Sequence, residues 1–144
     1  NYMIYAGRIE KYKRLELALQ TAEKLGTKLL IIGQGPYRKK LEKYVRNHYR
    51  GLAELLEPQP REKYLELVSK ARYAINPSKH EAYSIFTAEA LAIGTPAIIT
   101  KEIAENLNAE TQQLNEQLVI ATKAPIKTWT ETIQLYLKEL YQES

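Results

Sequence analysis

The sequence predicts an α/β protein with a doubly wound, parallel sheet of about six strands and helices on both faces. Short apolar stretches typical of buried strands alternate along the chain with stretches whose apolar residues recur at helical spacing. This alternation is typical of β-α-β units, in which right-handed crossovers join parallel strands. A length of 144 residues suits one domain, so we expect a single domain over residues 1–144.

Six stretches are predicted to be strands: residues 2–6, 28–32, 53–57, 72–77, 96–100 and 118–122. The stretches with one apolar face are predicted to be helices: residues 15–25, 36–48, 61–71 and 85–93. Gly26 and Gly94 mark the ends of two helices, and Pro36 suits the first turn of another. The polar segment 101–117 is helix-prone, and a last helix is expected from Pro125 to about Tyr141.

The composition limits the kinds of site that the chain can hold. It has no cysteine, which excludes disulfides and cysteine-ligated zinc and favours a cytoplasmic location. All 17 acidic residues are glutamates, which excludes EF-hand loops. The excess of 21 Lys and Arg over 17 acids suits anionic ligands or the anionic inner face of a membrane. The alternative is a solvated basic face.

The most informative stretch is residues 77–96, PSKHEAYSIFTAEALAIGTP. A predicted strand leads into a polar loop that carries Glu81, and an apolar helix that carries Glu89 follows. A helix N-terminus has unpaired N–H groups and a partial positive charge, which make it a ready anion site. In parallel sheets, ligands bind outside the carboxyl ends of the strands. Two carboxylates around such a site indicate recognition of a nucleotide or sugar through its hydroxyl groups.

This stretch resembles the donor-site signature of the retaining GT-B glycosyltransferases of family four. The match consists of Pro77-Ser78-x-x-Glu81, seven further residues, and Glu89-Ala90-Leu91-Ala92-x-Gly94-x-Pro96. An E-x7-E pair alone is a weak signal, but the flanking residues make this pattern specific. The sequence departs from the family at 82–84, where Ala82-Tyr83-Ser84 replaces Gly-aromatic-Gly. The loss of both glycines restricts the backbone of this loop, because glycine adopts conformations that Ala and Ser disfavour. Ser84 could compensate for this loss, because serine is a good helix N-cap.

Two earlier segments resemble other parts of the family's donor site. Arg8 and Lys13 resemble the first-strand motif whose Arg and Lys contact the diphosphate of the donor, and a pyrophosphate requires such charge-assisted donors. Arg14 is the alternative to Lys13 if the loop is one residue longer. Gly33-x-Gly35 resembles the second-strand turn, which we expect to border the base pocket.

The resemblance implies a role for each matched residue. Glu81 corresponds to a carboxylate that lies against the donor sugar, as nucleophile or stabiliser of the transition state, so it is the candidate catalytic residue. Glu89 corresponds to a carboxylate that accepts hydrogen bonds from the ribose. The diphosphate would be held by Arg8, Lys13 and the backbone amides of Ala82, Tyr83, Ser84 and Ile85.

The implied fold is a Rossmann-like domain, one half of a GT-B fold. The implied activity is hexosyl transfer from a nucleoside-diphosphate sugar to an acceptor, with retained anomeric configuration and without a metal. A chain without Asp cannot form the Asp-x-Asp motif of metal-dependent glycosyltransferases. We expect no cofactor beyond the donor and no nucleic-acid partner.

We also expect the N-terminal acceptor-binding domain of the same protein to be absent from this chain. The chain alone would then bind the donor without turnover. Two alternatives remain open. One is a non-catalytic Rossmann-like binding or scaffold module, and the other is a GT-B sugar-nucleotide epimerase.

Overall fold

The computed structural model describes residues 1–81 and 83–124, which form a sheet of seven strands and five α-helices. In chain order these are β1 (Tyr2–Ala6), α1 (Leu15–Leu25), β2 (Lys28–Ile32), α2 (Arg38–His48), β3 (Ala53–Leu56), α3 (Arg61–Lys70), β4 (Tyr73–Asn76), α4 (Ile85–Ile93), β5 (Ala97–Thr100), α5 (Lys101–Asn106), β6 (Glu110–Gln113) and β7 (Leu118–Lys123). Ala82 and the helix expected at 125–141 lie outside the described residues.

The predicted α/β fold class is confirmed, and the strand order across the sheet is β3-β2-β1-β4-β5-β7-β6. The five strands from β3 to β5 pair in parallel. After β3 the chain returns through α3 to the middle of the sheet, so the strand order reverses between β1 and β4. At such a reversal the loops that follow neighbouring strands diverge and leave a crevice at the carboxyl ends.

The far edge of the sheet differs from the prediction of about six parallel strands. Strand β7 runs antiparallel to β5, and a seventh strand, β6, runs antiparallel to β7. The segment 101–117 is therefore not one helix, because α5 ends at Asn106 and β6 follows. Strand β6 has the sequence ETQQ and is exposed at all four positions, so it shows no apolar alternation that a sequence pattern could detect. The side chain of Asn115 accepts hydrogen bonds from the Gln117 and Leu118 amides, at 2.8 and 2.9 Å, and closes the β6–β7 hairpin.

The core of the sheet lies around β1, β4 and β5. Consecutive residues on these strands, such as Met3 and Ile4 or Ile98 and Ile99, are fully buried. Because consecutive residues point to opposite faces, the central strands are covered on both sides, as expected for a parallel sheet. This rigid core fixes the positions of the loops at the carboxyl ends of the strands.

Candidate functional site

A cavity of about 620 Å³ lies at the carboxyl ends of β1, β2 and β3. Its wall is formed by the loops after these strands together with α3 and α4, and includes Ala6, Gly7, Arg8, Ile32, Gly33, Gln34, Pro58, Gln59, Arg61, Tyr64, Phe86 and Glu89. Three of the predicted site residues, Arg8, Gly33 and Glu89, therefore line one cavity. They come from segments that are far apart in the chain.

The loops after β1 and β2 are joined by backbone hydrogen bonds, and two glycines make this close approach possible. The Ile9 amide donates to the Gln34 carbonyl at 2.9 Å. A Cβ atom on Gly33 would lie 1.9 Å from the Gly7 carbonyl oxygen, and one on Gly35 would lie 2.2 Å from the Ile9 carbonyl oxygen. Gly33 borders the cavity, whereas Gly35 is not among its lining residues and instead packs against the first loop.

Arg8 is the most accessible cation of the cavity wall. Its side chain is 65% exposed and forms a loose ion pair with Glu10, at 3.6 Å between Nη2 and Oε1. The carbonyl group of Arg8 accepts a hydrogen bond from the buried Tyr5 hydroxyl at 2.6 Å. The backbone of Arg8 is thus anchored while its guanidinium remains available, since an exposed ion pair contributes little.

Lys13 and Glu81 form an ion pair that joins the loop after β1 to the loop after β4. The distance between Lys13 Nζ and Glu81 Oε2 is 3.3 Å, and both side chains are mostly buried. Asn76, the last residue of β4, donates from Nδ2 to the same carboxylate oxygen at 3.1 Å. Neither Lys13 nor Glu81 is among the residues that line the cavity. Burial raises the pKa of the Tyr5 hydroxyl, and the charge of Glu81 adds to this effect.

Arg14, the alternative to Lys13, has a different role in the structure. Its Nε donates to the Pro77 carbonyl at 2.7 Å, and its own backbone adopts a left-handed conformation with φ of 53°. Arg14 therefore ties the start of α1 to the loop after β4, while Lys13 faces the candidate catalytic carboxylate. Of these two residues, Lys13 is therefore the one that contacts Glu81.

Ser84 forms the helix N-cap that the sequence suggested. Its Oγ accepts a hydrogen bond from the Thr87 amide at 3.1 Å, and it also accepts one from Asn76 Nδ2 at 2.8 Å. The oxygen of the Asn76 side chain accepts from the amide and the hydroxyl of Ser78. Asn76 thus holds both ends of the loop that departs from the family pattern. Next to Ser84, the side chains of Tyr83 and Ile85 are 43% and 45% exposed.

Glu89 is 3% exposed within an otherwise apolar helix. Its Oε2 accepts from Nη2 of Arg61, and its Oε1 accepts from the Tyr64 hydroxyl at 3.1 Å. Both partners are on α3. A glutamate buried in an apolar helix needs a partner. The sequence did not reveal Arg61 or Tyr64 in this role, because a contact over 28 residues leaves no local pattern.

Arg38 is a third residue that the sequence did not single out. Its Nη1 donates to the carbonyl groups of Gly33 and Leu56, at 2.5 and 3.2 Å. These carbonyls belong to the ends of β2 and β3, where two of the cavity loops begin. The side chain of Arg38 therefore stabilises the backbone at the start of these two loops.

Within the described residues, no group of three or more His and Glu side chains is arranged to hold a metal ion. In the same residues, no helix combines the length and the apolar character needed to cross a bilayer.

A family model described as "Glycosyl transferases group 1" matches residues 1–142. The chain belongs to the group 1 glycosyltransferases. The match covers almost the whole sequence of this group 1 glycosyltransferase chain and includes residues 77–96.

Solved glycosyltransferase structures share the fold of this chain. AviGT4, a glycosyltransferase involved in avilamycin A biosynthesis, gives a TM-score of 0.68 at 19% identity, over 80% of this chain and 37% of its own. The catalytic domain of cholesterol-α-glucosyltransferase from Helicobacter pylori gives 0.60 at 21% identity, over 70% and 65% of the two chains. Sucrose-phosphate synthase from Thermosynechococcus elongatus gives 0.63 at 22% identity, over 72% and 28%.

At these identities the similarity shows the fold alone, which is that of one half of a GT-B glycosyltransferase. The match spans less than two thirds of each of the three solved chains. A search of curated proteins found no significant match to this group 1 glycosyltransferase sequence.

Proposed function

We propose that this chain is the donor-binding domain of a retaining glycosyltransferase that takes a hexosyl group from a nucleoside-diphosphate sugar. The observation that carries the proposal is the cavity that brings Arg8, Gly33 and Glu89 together at the carboxyl ends of the strands. It offers a cation for phosphate at Arg8 and a carboxylate for hydroxyl groups at Glu89. A volume of about 620 Å³ is in the usual range for small-molecule sites.

In this proposal Arg8 and Lys13 neutralise the diphosphate, with help from the backbone amides at 82–85. Arg8 has an exposed side chain that can turn to a ligand, whereas Lys13 is fixed against Glu81. An ammonium group has three N–H donors, so Lys13 can contact a phosphate oxygen and keep Glu81 as a partner. That pairing would hold the Glu81 carboxylate beside the leaving diphosphate, where the donor sugar is attached.

The partner of this domain would be an acceptor-binding domain of the same protein, which completes the cleft. The coverage of only 37% of the AviGT4 chain supports a second domain. We also propose that the protein acts in the cytoplasm. The positive net charge of +4 supports contact with the anionic inner face of a membrane.

Binding of nucleoside diphosphates tests the proposal. Calorimetry with UDP, GDP and ADP should detect weak binding of at least one of them. Arg8→Ala and Lys13→Ala should each weaken that binding by about ten- to a hundredfold, because each removes a charge-assisted contact of roughly 1.5–3 kcal/mol. Binding of the corresponding nucleoside should change much less, since it carries no phosphate.

Arg46→Ala and Lys39→Ala provide matched controls, because both residues are exposed on α2 and neither lines the cavity. They should leave nucleotide binding unchanged. If no diphosphate binds at millimolar concentration, the scaffold alternative is favoured. Equal losses for nucleoside and diphosphate would mean that the phosphate site is elsewhere.

Metal independence is a separate part of the proposal. We expect nucleotide binding to be the same in EDTA and in millimolar magnesium or manganese, because protein cations rather than a bound metal would neutralise the diphosphate. Titrations of the same protein sample under the three conditions check this. A strict requirement for either metal would contradict the assigned roles of Arg8 and Lys13.

A further inference from the structure

The wall of the cavity contains a polar cluster in which two of the three residues have no proposed role so far. It consists of Arg61 and Tyr64 on α3 and Glu89 on α4, and all three residues line the cavity. Arg61 donates to one oxygen of the Glu89 carboxylate, and the Tyr64 hydroxyl donates to the other at 3.1 Å. The guanidinium of Arg61 also lies over the Tyr64 ring, 5.3 Å from its centroid.

The position of Arg61 is unfavourable for its own helix. It is the first residue of α3, directly after Pro60, and a cation at a helix N-terminus is opposed by the helix dipole. Glu89 is equally unfavourable in its helix, since it is the single charged residue of Ile85–Ile93 and is almost fully buried. Replacing such a buried ion pair by apolar residues is often neutral or stabilising, so stability is a weak reason for its presence.

The geometry leaves the carboxylate able to bind a ligand. A carboxylate oxygen can accept about two hydrogen bonds, and among the described residues each oxygen of Glu89 accepts one from a side chain. Among the described residues, this count leaves one acceptor position on each oxygen for a neighbouring pair of hydroxyl groups. The Tyr64 ring lies close to the Arg61 guanidinium and also to the Phe86 ring, whose centroid is 6.4 Å away.

We propose that Arg61 and Tyr64 are positioning residues that orient the Glu89 carboxylate for the two ribose hydroxyls of the bound nucleotide. This inference rests on the proposed function, in which the cavity binds a nucleoside diphosphate. Arg61 compensates the charge that Glu89 carries into a buried position, and Tyr64 fixes the plane of the carboxylate. The preference for ribose over 2′-deoxyribose would then depend on residues of α3 as well as on Glu89 of α4.

Tyr64→Phe is the most direct variant, because it removes a single hydroxyl group and keeps the ring. The affinity for UDP, GDP or ADP, whichever binds best, is compared by calorimetry with that for its 2′-deoxy analogue. We expect the wild type to prefer the ribonucleotide by about tenfold, and Tyr64→Phe to reduce that preference by about threefold. Arg61→Lys keeps the charge but loses the planar fork, so it should also reduce the preference.

The matched control is a second arginine–tyrosine pair outside the cavity. The guanidinium of Arg72 lies 5.4 Å from the centroid of the Tyr73 ring, and neither residue lines the cavity. Tyr73→Phe and Arg72→Lys make the same chemical changes there and should leave the ribose preference intact. Melting temperatures of all four variants show whether each one is folded.

The outcomes separate this inference from the proposed function. Absence of any nucleotide binding by the wild type would overturn the proposed function itself. Binding by the wild type without a ribose preference would overturn only the inference. A preference that persists in both Tyr64→Phe and Arg61→Lys, even with both affinities weakened equally, would show that the cluster is structural and would also overturn it.

Discussion

Glu89 is the residue at which the structure most changes the expectation from sequence. The sequence predicts a carboxylate for ribose, and the structure adds two protein partners on α3. A carboxylate in this position has two functions, because it accepts hydrogen bonds and also balances the charge of Arg61. Substitution at residue 89 should therefore affect both binding and stability.

Glu89→Gln tests this double function. The amide keeps the shape but has half the acceptor capacity and no charge, so the variant should lose most of an approximately tenfold ribose preference. It should also lower the free energy of unfolding by about 1–3 kcal/mol, because charge-assisted hydrogen bonds to Arg61 and Tyr64 are weakened. Thermal unfolding and the two affinities are measured on the same sample. An unchanged ribose preference with a lower melting temperature would remove Glu89 from the binding site.

The loop between β4 and α4 is held near both ends by side-chain hydrogen bonds. Asn76 binds Ser78 near the start of this loop and Ser84 at its end. Ser84 in turn provides the N-cap of α4. Where the family pattern has a flexible glycine, this chain therefore has a serine whose hydrogen bonds constrain the end of the loop.

Ser84→Ala should destabilise the protein by about 1–2 kcal/mol, since it removes the N-cap and the hydrogen bond from Asn76. Thr100→Ala is the matched control, because Thr100 caps α5 through a weaker bond of 3.3 Å to the Ile103 amide. Chemical denaturation of both variants measures the difference. An equal or smaller loss for Ser84→Ala would contradict the role of the Asn76 network.

At the scale of the whole molecule, the parallel half of the sheet could be predicted from sequence and the antiparallel edge could not. Strands such as β1 and β5 are continuous apolar runs, which identify a strand buried on both faces. Strand β6 is polar throughout, and its position depends on pairing with β7 rather than on its own sequence.

The residues of the candidate site also differ in whether they could be predicted from sequence. Arg8, Gly33 and Glu89 could be predicted because each lies in a short motif next to a strand or helix end. Arg61, Tyr64 and Arg38 could not, since their contacts depend on how distant elements pack. Gly35 was assigned to the ligand site from its motif, whereas its contact is with the backbone of Ile9.

Sugar transfer requires a bound acceptor as well as a bound donor. The candidate cavity is lined by loops at one edge of the sheet together with α3 and α4, and the match covers 37% of the AviGT4 chain. The 144-residue chain should therefore bind a nucleoside diphosphate and release no detectable product from the matching nucleotide sugar. Binding would place the donor in position, but the acceptor would not be held in the geometry that transfer requires.

Chromatographic analysis of the sugar nucleotide after long incubation with this chain checks the prediction. A control reaction uses the full-length protein that contains this chain, with an acceptor mixture from the source cell. Sugar transfer should appear only in the control. Transfer by the 144-residue chain alone would contradict the need for a second domain. Conversion of the sugar nucleotide to its epimer without an acceptor would instead favour the epimerase.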